Sequence, residues 1–146
     1  MEAKLVATAA AGEGADNVHR MEDSNEKPVI TVPSGVPPTE LVIEDLIEGN
    51  GAEAAAGMQV TVDYSGINWS NGREFDASWN RNDTFSFGLG QSQVIPGWDQ
   101  GVQGMKVGGR RRLTIPPAMA YGSSGAGGVI GPNETLIFVV DLRSVG

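Results

Sequence analysis

The sequence predicts an α+β fold: an antiparallel sheet of five to six strands wrapped over one short α-helix. Three observations carry that reading. Several segments alternate apolar and polar residues at period two, one segment has helix-like spacing, and Gly, Pro and Asn clusters punctuate the chain between them. With 146 residues the chain can hold one core plus an extension, since roughly 100 residues already bury enough surface to fold alone.

Residues 1–27 are rich in Ala, Gly, Glu, Asp and Asn without a sustained period, so a mobile tail is expected there. Residues 28–38 read as an extended, proline-rich linker, with 29–32 as a candidate edge strand. The division is therefore a flexible tail and linker over 1–38 and a compact domain over 39–146. Within the domain, 41–47 is a strand candidate. The segment 58–69 is a stronger one, because Val60, Val62 and Tyr64 fall on one face and Thr61, Asp63 and Ser65 on the other. Asn71-Gly72 marks a tight hairpin turn, 74–78 returns as a strand, 80–83 is a polar turn, and 84–87 puts Phe85 and Phe87 on one face. The helix is expected over 97–105, after Pro96, with Trp98, Val102 and Met105 on its inner side and Gly101 and Gly104 keeping it short. A strand over 111–115 ends at Pro116-Pro117, a glycine-rich loop fills 118–133, and in a last strand over 135–142 Leu136, Phe138, Val140 and Leu142 share a face.

Composition excludes several kinds of chemistry. A net charge of −8 gives no basic surface for nucleic acid. Arg110-Arg111-Arg112 does not change that, because neighbours on a solvated strand point to opposite faces. With no cysteine, and His19 as the single histidine, thiol, Ser-His and zinc-histidine sites are not expected within the domain, nor is a cofactor. The apolar stretch 5–11 is too short to span a bilayer and runs into Glu13 and Asp16. The expectation is a cytoplasmic monomer without membrane contact. Three Asn-x-Ser/Thr matches, at Asn68, Asn82 and Asn133, are read as chance.

The residues that remain for function are aromatic and branched apolar side chains drawn from most segments of the domain. Such a pocket, poor in titratable groups, can hold an apolar segment or catalyse a bond rotation but is ill equipped for hydrolysis. The 121–133 loop has the length of a binding element. Its glycines either fold it against a pocket holding Tyr121, Val129 and Ile130 or merely make it flexible. Asp76 lies five residues before Arg81 across a strand end and could pair with it, which by itself means no more than a surface salt bridge. Trp98 taken alone reads as the helix anchor of the core.

Six motifs in order change that weighing. Val62-Asp63-Tyr64-Ser65-Gly66, Phe75-Asp76-Ala77-Ser78 followed by Arg81, Phe85-Ser86-Phe87, Val94-Ile95-Pro96-Gly97-Trp98, Ala120-Tyr121-Gly122 and Leu136-Ile137-Phe138 resemble the FK506-binding-protein family of peptidyl-prolyl cis-trans isomerases across 39–146. The resemblance implies a pocket of Tyr64, Phe75, Asp76, Phe85, Val94, Ile95, Trp98, Tyr121, Ile130 and Phe138. Departures sit on the rim: Gln93 where an acidic residue is frequent, Ala126 where a histidine can occur, and Gly131 where a proline is common.

What the resemblance implies about function is rotation of Xaa-Pro peptide bonds in protein folding, with Xaa-Pro polypeptides and FK506- or rapamycin-type macrolides as partners. Tyr64, Asp76, Ile95, Trp98, Tyr121 and Phe138 are the implied catalytic set. Phe75, Arg81, Phe85, Val94, Val129 and Ile130 are the implied substrate-binding set. A non-catalytic peptide-binding module using the same pocket is the alternative, and a folding helper whose tail adds weak client contacts is a further one.

Overall fold

The computed structural model describes residues 25–146; most of the expected tail lies outside them. Six strands form one antiparallel sheet: β1 (Val42–Ile47), β2 (Gln59–Asn68), β3 (Glu74–Ala77), β4 (Phe85–Gly88), β5 (Arg110–Ile115) and β6 (Leu136–Val145). Their order is β1-β5-β6-β2-β3, with β4 pairing the first half of β2 and β3 the second. Central strands β2 and β6 are the longest, and their period-two pattern divides the sheet into two apolar faces.

One face packs against the only α-helix among the described residues, α1 (Pro96–Gly101). Val60, Val62, Leu113, Ile115, Leu136, Phe138, Val140 and Leu142 meet Trp98, Val102 and Met105 in the main core. Two glycines inside a six-residue helix weaken it, but they allow a close approach. A Cβ at Gly97 would lie 2.5 Å from Ile115, and one at Gly101 2.7 Å from Leu113. The helix is shorter than expected, ending before Met105, which nevertheless stays buried.

The other face is closed by the segment read as a linker. It forms no strand over 29–32. Instead Ile30 is buried against Ile67, Ile137 and Val139, with Val32, Leu46 and Trp69 around them. The backbone carbonyl of Glu26 accepts from Arg110 Nη2 at 2.5 Å, and Lys27 Nζ lies 2.9 Å from the buried carboxylate of Glu74. Packing thus begins well before residue 39.

Two other expectations change. Asn71-Gly72 does not make a two-residue hairpin: the β2–β3 connection spans 69–73, Gly72 alone has positive φ, and Asn68 N–H closes it onto Arg73 O. Residues Ser78–Arg81 form a 3₁₀ turn where the tail of a strand and a polar turn were expected. Nor are the three arginines a solvated strand. Arg110 is buried against Asp141 (2.7 Å), Arg111 is buried and pairs with Asp45 (2.6 Å), and Arg112 pairs with Glu44 (2.9 Å).

Candidate active site

Above the helix, on the main-core side, the sheet leaves a cleft of about 490 Å³. Its floor is an aromatic cluster in which the Trp98 ring lies edge-on to Tyr64 (5.1 Å between centroids) and Phe138 (5.2 Å), while Phe75 meets Phe138 at 5.4 Å. Edge-to-face contacts of this kind add to the burial of the rings themselves. Gly66 makes room for them: a Cβ there would come within 2.7 Å of both Phe138 and Phe75.

Most of the residues expected from sequence meet here. Tyr64, Phe75, Asp76, Phe85, Val94, Ile95, Trp98, Tyr121, Val129, Ile130 and Phe138 all line the cleft. The floor residues Trp98 and Phe138 are 4 % exposed, whereas Phe85, Tyr121 and Val129 at 36, 40 and 51 % form the rim. Arg81 does not line the cleft. It stands behind the one carboxylate that does, donating from Nη1 to Asp76 Oδ1 at 2.6 Å and from Nη2 to the Tyr64 oxygen at 2.9 Å, while the Tyr64 hydroxyl donates to Asp76 Oδ2 at 2.5 Å. The 3₁₀ turn that carries Arg81 is fixed by Ser78, whose Oγ accepts from Tyr64 N–H and donates to Asp63.

This triad sets the electrostatics. Burial, then the hydrogen bond to Asp76, pushes the Tyr64 phenol up to about 12, so it is a neutral donor at any working pH. The hydrogen bond to Asp76 raises Arg81 further above its usual range. With both side chains partly in solvent, the Arg81–Asp76 pair adds under about 1 kcal/mol to stability, and its consequence is orientation. Tyr121 is also raised, by burial and then by Asp76; its hydroxyl has no hydrogen-bond partner among the described residues.

Two backbone features complete the site. Ile95 precedes α1 with extended φ and ψ, and its N–H meets no acceptor among the described residues. The turn leading to it is braced by Asp99, whose two carboxylate oxygens accept from Gly90 N–H (2.8 Å) and Ser92 N–H (3.0 Å). Gln93 likewise accepts from Gly88 N–H at 2.8 Å. Sequence reasoning missed Asp99, although an acidic residue in the first turn of a helix after a Gly- and Ser-containing turn was a usable signal. Gln93 and Ala126, which the resemblance set on the rim, do line the cleft, and Gly127, which sequence reasoning missed, lines it with them. No group of three or more His, Asp or Glu side chains that could hold a metal occurs among the described residues.

An α+β domain with a largely apolar aromatic cleft, one fully engaged carboxylate and neutral phenols is built to hold an apolar segment or turn a bond within it. Residues 51–143 match the family described as FKBP-type peptidyl-prolyl cis-trans isomerase. The chain is 59 % identical over 123 residues to an FK506-binding protein of Streptomyces anulatus, covering 84 % of this chain and 99 % of that one. It is 55 % identical over 106 residues to an FK506-binding protein of Neisseria meningitidis, covering 72 and 95 %. The crystal structure of AtFKBP13 superposes with a TM-score of 0.68 at 37 % identity over 76 % of this chain and 97 % of that one. FkpA from Escherichia coli gives 0.66 at 41 % identity over 72 % of this chain and 47 % of that one. The chain belongs to the FKBP-type peptidyl-prolyl cis-trans isomerase family.

Proposed function

We propose that this protein rotates Xaa-Pro peptide bonds in the Trp98-floored cleft, and that FK506- and rapamycin-type macrolides compete for the same space. The observation that carries the reading is an apolar cleft that offers hydrogen-bond donors without a nucleophile. A prolyl amide must lose its resonance against a barrier of roughly 18–20 kcal/mol, with no bond made or broken. The planar amide has a larger carbonyl dipole, which water stabilises and apolar surface does not. Removing water therefore favours the twisted amide over the planar one, which is differential binding of the transition state.

In this account Trp98, Phe75, Phe85 and Phe138 hold the proline ring, with Val94, Val129 and Ile130 closing the walls. Ile95 N–H donates to the carbonyl of the bound segment, and the Tyr121 hydroxyl donates to a neighbouring peptide carbonyl. Asp76 faces the segment, held by Arg81 and Tyr64. Replacing Trp98 by Leu, or Phe138 by Tyr, is expected to lower kcat/KM on an Xaa-Pro peptide by about tenfold or more, equivalent to about 1.4 kcal/mol of transition-state stabilisation. Wild-type rates in both variants would remove these residues from the mechanism. Binding of the peptide without acceleration by the unmodified protein would leave a peptide-binding module.

A further inference from the structure

We infer that Asn68 is a positioning residue whose side-chain amide ties the 126–130 hairpin to the sheet and so sets how tightly the cleft wall meets a bound prolyl segment. This rests on the isomerase reading above. Asn68 ends β2 and is 3 % exposed. Its Nδ2 donates to Val129 O at 2.9 Å. Because a carbonyl only accepts, the amide's orientation is fixed by chemistry, and its Oδ1 is left buried with no partner among the described residues. A half-satisfied buried amide is a poor choice for stability, and an apolar side chain of similar size would serve the packing better. The donor is what the position uses.

That donor is the one hydrogen bond from the sheet to the hairpin among the described residues, beside the packing of Ile130 and Ala126 against the main core. Ala126 and Ile130 bond to each other's backbone (2.8 and 3.0 Å), and Asn133 N–H closes the base onto Gly122 O at 2.8 Å, so these bonds hold the loop to itself and not to the sheet. The return arm is fastened separately, by Trp69 N–H to Thr135 O and by Ser70 to the Glu134 carboxylate. Between these anchors Gly127 and Gly128 take φ of +59° and +76°, a region that glycine adopts at little cost, so the tip carries little conformational restraint of its own. Ala126, Gly127, Val129 and Ile130 all line the cleft. Without the Asn68 tie a bound segment must itself order this wall, which weakens binding. The floor at Trp98 and the donor at Ile95 are untouched, so the rate of the bound complex is little altered.

The test uses Asn68→Leu, which removes the donor and the buried oxygen together, and Asn68→Asp, which keeps the shape without the donor. Rates of Xaa-Pro isomerisation by NMR exchange give KM and kcat, and thermal unfolding gives Tm. The expected result for Asn68→Leu is a roughly three- to tenfold rise in KM, the range set by the loss of one hydrogen bond, with kcat within about twofold and an unchanged or higher Tm. Asn68→Asp is expected to raise KM at least as much. An unchanged KM in either folded variant overturns the inference, as does a fall in kcat and Tm together, which would mark a purely structural role. If the unmodified protein accelerates nothing, the isomerase reading fails instead. The tie is then judged by peptide Kd from NMR titration, where weakening in Asn68→Leu supports it and equality overturns it.

Discussion

The two faces of the sheet are built from alternate residues of the same strands, yet one is closed and the other open. On the closed face the segment around Ile30 covers Ile67, Ile137 and Val139. Around that segment lie paired charges: Arg110 with Asp141, Lys27 with Glu74, and Arg143 with Asp63 at 3.0 Å. On the open face the helix covers only part of the apolar surface, and the rest is the cleft, with one half-exposed ion pair at its edge. The closed face serves the fold alone, whereas the second, which holds the main core, also keeps apolar area available for a ligand.

Changes on the two faces should therefore part cleanly, and the largest effect lies on the closed one. Arg110→Leu leaves the fully buried Asp141 carboxylate without its partner, whose charge offsets the burial that pushes Asp141 above the ordinary carboxylate range. Urea unfolding is expected to show a loss of about 3–5 kcal/mol, with isomerase activity per folded molecule unchanged. Ile30→Ala should cost about 2–3 kcal/mol by emptying the contact on that face, again without altering the catalytic rate. Loss of activity at retained stability in either variant would break the division.

Smaller effects sharpen it from the cleft side. Asp76→Asn is expected to shift stability by under about 1 kcal/mol while lowering turnover, as judged by thermal unfolding beside isomerisation kinetics; a large joint loss would make Asp76 structural. The smallest signal is spectroscopic. Tyr64 and Tyr121 are the only tyrosines. An ultraviolet titration should show both ionising above the usual value, with Tyr64 at about 12. Since the folded-state value lies above the unfolded one, the stability from the Tyr64 phenol is complete below about pH 10 and lost as pH rises towards 12. An ordinary titration for Tyr64 would mean that its burial and its bond to Asp76, the two main causes of the rise, do not hold in solution.

The open face was legible in the sequence because its signals are local. Alternation in 58–69 and 135–142 gave the central strands, and short ordered motifs gave the floor and the Asp76–Arg81 pair. The closed face was not legible. Residues 26–32 have no periodicity, and what holds them is a backbone carbonyl, one isoleucine and a lysine whose partner Glu74 is 47 positions away. The arginine run misled for the same reason, since Asp141 and Asp45 lie far along the chain. Asn71-Gly72 carried a strong two-residue turn signal, but the register shift at Gly66/Ile67 places the strand ends for a longer connection.

The most direct test of the central claim is the cis-to-trans exchange of a short Xaa-Pro peptide, followed by NMR exchange spectroscopy with and without the protein and then with excess rapamycin. The account predicts acceleration that the macrolide abolishes. Peptide binding without acceleration, or acceleration that rapamycin leaves intact, would contradict it.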